Sequence, residues 1–495
     1  MSVQGKDHDK KHSPQLASEE VGLFAAITAE SGEEPYSADV STAFLNAKNE
    51  VVIYAYEPTF MPILRMSDDQ VLALREQLKQ MTRKEIRRLS VQDKTCPEWI
   101  WLLLQCVYGQ MDAGMHWNNL FNAFATEEAG ATPSRISPCM YYREVPWDYQ
   151  GFLMINYTDD CTWNGSVRTK EWFLDLLLKK WDCKYERNWK QFLGMGVDCN
   201  PSAGYVELTQ EGFIEKMVEK FEAYMPECYR ERSPPIPMKE KQQMDDIVSD
   251  EEWEKSKHLP YPSIVCAMNY ATTMTKLECV CAQSMLGGKL QRWSRADFVS
   301  AIYFLWYLWG TRKRGLIYWK GKDPHGSNIA WSVADTDLGS DASKKIRASS
   351  IVMCNAGAVL AKSKKRGHHV ATALAEMEGS FYSAMDLIGF TNVLQDIGHP
   401  QCENMLYTDN YANYSIIENR MSLGSKNKHI DLRYLKLKDW VKMRKIKIGT
   451  VPSEEMMADL GTKNLGPKQF CLLRDWMSGY IHVVTFMREV EKLEE

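Results

Sequence analysis

The tetrapeptide Tyr157-Thr158-Asp159-Asp160 constrains this chain more than any other stretch. It follows the apolar run Phe152-Leu153-Met154-Ile155 and precedes Cys161-Thr162-Trp163 and an Asn164-Gly165 pair. Strand, tight turn, strand is a hairpin pattern, so two carboxylates are predicted at a hairpin tip. Adjacent like charges backed by an apolar strand raise the cost of ionisation unless a cation neutralises them, and oxygen-only ligands suit Mg²⁺ or Mn²⁺. The same residues also make an ordinary acidic turn, because Asp is favoured there for its local hydrogen bonds. Choosing between the two needs further acids elsewhere in the chain.

One candidate is Asp39, at the end of the short strand pattern Tyr36-Ser37-Ala38-Asp39-Val40. Phosphoryl transfer by two metals needs carboxylates from separate strands, and Asp39 is a candidate for that role; alternatively it caps the helix that follows. Others lie in the last third. Ile329 to Ala334 reads as a strand ending at Asp335, and Met405-Leu406-Tyr407-Thr408 as a strand ending at Asp409. A helix from Leu374 to Leu394 carries Glu376 and Glu378 near its start, and a short helix carries Asp459. The order β-β-β-α-β-α-β-α can bring these acids to one rim of a mixed sheet, as a metal-dependent nuclease requires.

The rest of the chain frames these groups. At 495 residues, with 44% hydrophobic and 25% charged side chains, it has the composition of a globular protein of several domains. The longest apolar run, Phe298 to Trp309, is too short for a membrane span. Thirteen cysteines without CxxC pairs or zinc spacing predict a reduced, intracellular compartment. A net charge of −5 means that any polyanion is held by local patches or by bound metal. Ser67-Asp68-Asp69 caps a predicted helix running to about Leu89, with Arg83, Lys84, Arg87 and Arg88 on its outer face, which is a solvated charge run or, alternatively, a nucleic-acid contact. Six prolines mixed with charge runs mark 226–262 as a linker.

Taken together, the segments resemble the Pol polyprotein of copia-type long-terminal-repeat retrotransposons, across its reverse transcriptase and ribonuclease H regions. ADVSTAFLN (38–46), YGQMDAGMHW (108–117), YTDD (157–160), FLGM (192–195), LTQ (208–210) and GTRKRGLIYWKG (310–321) are similar to the polymerase set and fall in family order. DTDLGSD (335–341), AEME (375–378), YTDN (407–410), KHIDLRY (428–434) and VPSEEMMADLGTK (451–463) are similar to the ribonuclease H set.

The resemblance implies an α+β fold. A disordered lead-in (1–20) would precede a reverse-transcriptase palm (21–225) with its fingers largely missing, then the linker. A helical thumb or connection (263–325), a ribonuclease H-like mixed sheet (326–470) and a C-terminal helix and tail (471–495) would follow. It implies RNA-directed DNA polymerase and hybrid nuclease activity, with Mg²⁺ or Mn²⁺ held by Asp39, Asp159 and Asp160 in the palm. In the nuclease the ligands would be Asp335, Glu378, Asp409 and Asp459, with Glu376 the alternative to Glu378. Nucleic-acid contacts would come from Lys362, Lys364, Lys365, Arg366 and His429.

The implied partners are an RNA template, a DNA primer, an RNA/DNA hybrid, dNTPs and other parts of a Pol polyprotein, with no membrane. The implied location is cytoplasmic, in a virus-like particle if the element is intact, or nuclear. Two departures stand out. Ser13-Pro14 lies near the start, where the family has a basic segment upstream, which implies an N-terminally truncated Pol. Asp112, Gly114 and Met115 replace the family's Gln, Pro and Arg, and an acid facing a triphosphate repels it. The alternative function is therefore a decayed, inactive fragment that at most binds nucleic acid.

Overall fold

The computed structural model describes residues 13–56, 100–244, 247–338, 345–367, 372–402, 404–418 and 432–482. The helix expected over 67–89 and His429 lie outside the described residues. The chain divides into two compact units: Val40–Phe124 with the N-terminal Met1–Pro14, and Gln15–Asp39 with Ala125–Glu495.

In the larger unit, helix α1 (Ser18–Ser31) leads into strand β1 (Tyr36–Val40). Every residue of α1 from Val21 to Ala29 is buried, so it has no solvent face; a helix apolar on all sides is a core helix. It packs on strands of three sheets, and Gly32, at φ +70°, ends it in a left-handed cap.

The smaller unit contains α2 (Ala43–Asn46), the antiparallel pair β2 (Lys48–Tyr56) and β3 (Ile100–Gln105), and α3 (Ala113–Ala123). Asp112 precedes α3 and is 1% exposed; it accepts from Gln110 Nε2 at 2.6 Å and lies 3.4 Å from His116 Nε2. The repulsive acid expected from the sequence is thus a buried, partnered one.

Returning to the larger unit, β4 (Thr132–Pro133), β5 (Met140–Val145), β6 (Asp148–Tyr157), β7 (Asp160–Asn164), α4 (Val167–Lys180) and β8 (Cys183–Glu186) follow. They build a six-stranded sheet of order β4-β5-β6-β7-β1-β8. The predicted hairpin is β6–β7: Tyr157 pairs with Asp160, leaving Thr158 and Asp159 as the turn. Two-residue hairpins need left-handed backbone, and Thr158 supplies it at φ 56°, an uncommon place for a β-branched residue.

Next come β9 (Gln191–Phe192), β10 (Met195–Asn200), β11 (Tyr205–Thr209) and α5 (Glu211–Lys220). Helices α6 (Asp250–Ser256), α7 (Tyr261–Met274), α8 (Val280–Gly287) and α9 (Arg295–Gly310) lead to β12 (Leu316–Trp319), which completes a sheet of order β12-β11-β10-β9.

The stretch read as a linker is packed instead. Tyr229, Ile236, Met238, Met244 and Val248 are buried, and Lys241 N–H donates to the Asn464 carbonyl at 3.0 Å. Its apolar residues are scattered among prolines and charges and show no period in the sequence, yet Tyr229, Ile236, Met238 and Met244 join the core while Ile247 stays exposed.

The last part holds β13 (Trp331–Asp337), β14 (Arg347–Cys354), β15 (Gly357–Lys365), α10 (Thr372–Asp396), β16 (Met405–Thr408), α11 (Tyr411–Ile417), α12 (Leu432–Lys442) and β17 (Lys447–Thr450). Helices α13 (Asp459–Thr462) and α14 (Pro467–Met477) close it. The sheet order is β15-β14-β13-β16-β17. The first three strands are antiparallel and the last three parallel, so Asp335 and Asp409 emerge at the carboxyl ends of adjacent parallel strands. Open sheets present ligand sites at that end. Among the described residues, no helix is long and apolar enough to cross a membrane.

Candidate active site

Two glycines let helices come close enough to deliver acids to the β13 rim. A Cβ on Gly379 of α10 would collide with Thr336 Oγ1, and one on Gly461 of α13 with Ser349 Oγ. Both helices therefore lie tight against the sheet, and α10 carries Glu376 to Asp335.

Asp335, Glu376 and Asp409 each present a carboxylate oxygen within 4.8 Å of the others. Among the described residues they are the one group of three or more acids, histidines or cysteines gathered so closely. Asp459 adjoins them. Lys463, one helical turn after Asp459, sets its ammonium 2.6 Å from Asp459 Oδ1 and 3.4 Å from Asp335 Oδ2. Thr462 Oγ1 donates to Asp335 Oδ2, and Ser453 Oγ donates to Asp409 Oδ2 at 3.0 Å.

Four acids against one ammonium in a buried site are under-neutralised. Burial, then the charges of Asp335 and Asp409, push Glu376 up to about 9. Asp409 and Asp459 are raised by burial and by Asp335. Burial by itself would lower Lys463, but Asp335 and Asp459 outweigh it and hold the ammonium above its ordinary value. An all-oxygen acid group with excess negative charge fits a hard divalent cation, and Asp335, Glu376, Asp409 and Asp459 are the residues able to hold one.

Glu378 does not join this group. Its Oε1 accepts from Arg433 Nη1 at 2.6 Å. Residues two apart on a helix point about 200° apart, at ~100° per residue, so only one acid of AEME can face the sheet. The sheet lies on the Glu376 side, so it is Glu376, the alternative in the sequence reading, that the structure gathers with Asp335 and Asp409.

The palm acids are arranged more openly. Asp39 on β1 stands directly opposite Asp160 on β7, a pairing of like charges that costs energy. Asp159 occupies the turn beside them. Burial, then Asp159 and Asp39, push Asp160 up to about 6, and burial followed by Asp39 raises Asp159. Asp39 and Asp160 line a cleft of about 420 Å³ with Lys184, Tyr185 and Gln191. The three acids share one end of the sheet without closing to the spacing of the nuclease-like group.

Of the expected nucleic-acid contacts, Lys362 is paired with Asp386 at 2.6 Å, and Arg366 lies over the Tyr382 ring at 3.7 Å. Lys364 and Lys365 are exposed at the end of β15. Lys463, Thr462, Ser453 and Arg433 were not singled out from the sequence. For Lys463 a signal existed, since Asp459 and Lys463 have the i, i+4 spacing of a helical ion pair.

The fold is therefore α+β, with a six-stranded sheet, a four-stranded sheet joined to a group of helices and a five-stranded mixed sheet. The chain is similar to the Retrovirus-related Pol polyprotein from transposon TNT 1-94 of Nicotiana tabacum, 23% identical over 478 residues, covering 95% of this chain and 33% of that protein. It is 20% identical over 378 residues to the Transposon Ty1-DR5 Gag-Pol polyprotein of Saccharomyces cerevisiae, covering 75% of this chain and 21% of that one. These relatives are copia-type retrotransposon Pol polyproteins, and the chain spans about a third or less of their length. No protein-family model matches. Among solved structures, the foamy viral protease-reverse transcriptase in complex with RNA/DNA hybrid aligns with a TM-score of 0.46 and 9% identity, over 89% of this chain and 46% of that one.

Proposed function

We propose that the C-terminal sheet is a divalent-metal nuclease that hydrolyses the RNA strand of an RNA/DNA hybrid. The observation that carries this reading is the convergence of Asp335, Glu376 and Asp409 within 4.8 Å, although they lie far apart in sequence. A divalent cation bound there supplies charge neutralisation at the phosphate and a water of lowered pKa. The protein's own contribution is positional. Thr462 and Ser453 orient the carboxylates of Asp335 and Asp409, and Lys463 offsets part of their charge. A labelled hybrid incubated with the full chain and Mg²⁺ or Mn²⁺ tests it: RNA cleavage that disappears in Asp409→Asn supports the reading, and intact RNA overturns it.

A second reading, primer-templated DNA synthesis from dNTPs at Asp39, Asp159 and Asp160, is favoured by the opposed Asp39–Asp160 pair and the cleft beside it. Mg²⁺-dependent extension of a primed RNA template, lost in Asp159→Asn, is its expected result. Should the chain bind hybrid yet neither cleave nor extend it, the inactive nucleic-acid-binding alternative replaces both.

A further inference from the structure

Lys463 fills a place in the acid group that a cation would otherwise claim. Its ammonium lies 2.6 Å from Asp459 Oδ1 and 3.4 Å from Asp335 Oδ2, so it bridges carboxylates from α13 and β13. Asp335 belongs to a second grouping as well, with Glu376 and Asp409, whose carboxylate oxygens lie within 4.8 Å of one another. The acids therefore offer two cation positions that share Asp335. One is ringed by Asp335, Glu376 and Asp409, and the other, between Asp335 and Asp459, already holds the ammonium. Among the described residues, Lys463 is the one basic side chain ion-paired with these four acids.

The bridge is built into the fold from both sides of the lysine. Before it, Gly461 lets the chain lie against β14, since a Cβ there would strike Ser349 Oγ, and Thr462 Oγ1 donates to Asp335 Oδ2. Lys463 N–H itself donates to the Asp459 carbonyl at 3.0 Å, which sets the lysine one turn beyond its partner. After it, Asn464 Nδ2 donates to the Gln242 carbonyl at 2.8 Å, and the Asn464 carbonyl accepts from Lys241 N–H at 3.0 Å. Anchoring the backbone on both sides lowers the entropy cost of holding a long side chain in one geometry.

The Asp335 and Asp459 side chains are 4% and 7% exposed, so little water screens the charges around them. A divalent ion placed between these two carboxylates would meet the ammonium at close range, where like charges repel strongly. One ammonium and one divalent ion leave four carboxylates a single charge short of neutral, whereas two divalent ions beside the lysine overshoot.

We propose that Lys463 is a built-in replacement for a second divalent ion, so that the site binds one such ion, at Asp335, Glu376 and Asp409. The inference rests on the divalent-ion part of the nuclease reading, but its own evidence is the position of the ammonium.

The test counts tightly bound Mn²⁺ by the loss of the free-ion electron paramagnetic resonance signal. The full chain carries Asp39→Asn and Asp160→Asn, so that the acids of the six-stranded sheet do not contribute. Against that background, Lys463→Ala should roughly double the bound Mn²⁺, from one ion per chain to two. Lys463→Met, which keeps the apolar stem, should give the same count and decides the matter if the alanine chain fails to fold. Lys463→Arg retains a cation and should leave the count at one. Adding Asp459→Asn to Lys463→Ala should return it to one, because the second position has lost a ligand.

Two ions in the background chain, or one in both it and the alanine and methionine variants, overturns the replacement while leaving the metal site standing. No bound ion in any of them overturns both. The expected counts without hydrolysis of the RNA strand keep the replacement and reject the nuclease.

Discussion

The two acid groups use the same chemical ingredients in different settings. In the six-stranded sheet, Asp39 and Asp160 face each other across an open ladder, with Asp39 exposed at the sheet end. In the C-terminal sheet, Asp335, Glu376 and Asp459 are buried, and Asp335 and Asp459 share Lys463. Water relieves much of the repulsion in the first group. In the second, little water is available, so burial raises Glu376, Asp409 and Asp459 and leaves Lys463 to offset part of the charge. Burial, more than the number of carboxylates, sets how strongly each group should depend on a cation.

The largest expected effect separates the two groups directly. Glu376→Gln should reduce RNA-strand hydrolysis by 100-fold or more, on the order of one lost metal ligand, while Asp160→Asn leaves it unchanged. A gel assay of a labelled hybrid reads both. Loss of hydrolysis in Glu378→Gln, with Glu376→Gln active, would reverse the assignment within AEME.

Gly379→Ala comes next. The added methyl must displace Thr336 or shift α10, at a cost of about 1–3 kcal/mol, and it should lower both the thermal midpoint and hydrolysis. A variant as stable and as active as the wild type would show that α10 has room to spare.

The pH dependence sharpens the contrast. An acid with a raised folded-state pKa binds more protons folded than unfolded. Its contribution is therefore full below the unfolded value and is lost as pH climbs to the folded one. That window runs from 4.5 to about 9 for Glu376 and from 3.8 to about 6 for Asp160. Asp459, raised to about 7, closes its window below that of Glu376, so in EDTA the fall of the thermal midpoint between pH 7.5 and pH 9 should come chiefly from Glu376, and Glu376→Gln should flatten it. Mn²⁺ should raise the midpoint more at pH 8 than at pH 5. An equal rise at both values would mean that the cation is not replacing protons at this site.

Lys463→Ala removes the internal counter-charge. The metal-free midpoint should drop, while Mn²⁺ affinity by calorimetry rises several-fold, since no ammonium competes for Asp335 and Asp459. The smallest effect belongs to the palm hairpin. Thr158→Gly relieves a left-handed threonine and should stabilise by about 1 kcal/mol or less, because glycine's extra chain entropy offsets the gain.

Much of the architecture was legible where a period and a punctuating turn coincide. The β6–β7 hairpin follows from an apolar strand ending in a two-residue acidic turn, and the β14–β15 hairpin from Asn355-Ala356-Gly357. The pairing of Asp39 with the YTDD acids was expected from the sequence, and β1 is hydrogen-bonded beside β7. Less was legible at residues whose neighbours come from far along the chain. The single apolar residues of 226–262 carry no period, and Asp112 reads as an exposed acid until Gln110 and His116 are seen to enclose it.

By itself, the sequence determined which acids stand at strand ends and helix starts, because alternation, helical spacing and turn chemistry act between near neighbours. It also carried the similarity to the retrotransposon Pol polyproteins. Only the tertiary structure decided between Glu376 and Glu378 and gave Lys463 its carboxylates. Those choices depend on which side of α10 meets β13, and that is set by Gly379 and the packing of distant segments, to which no local pattern refers.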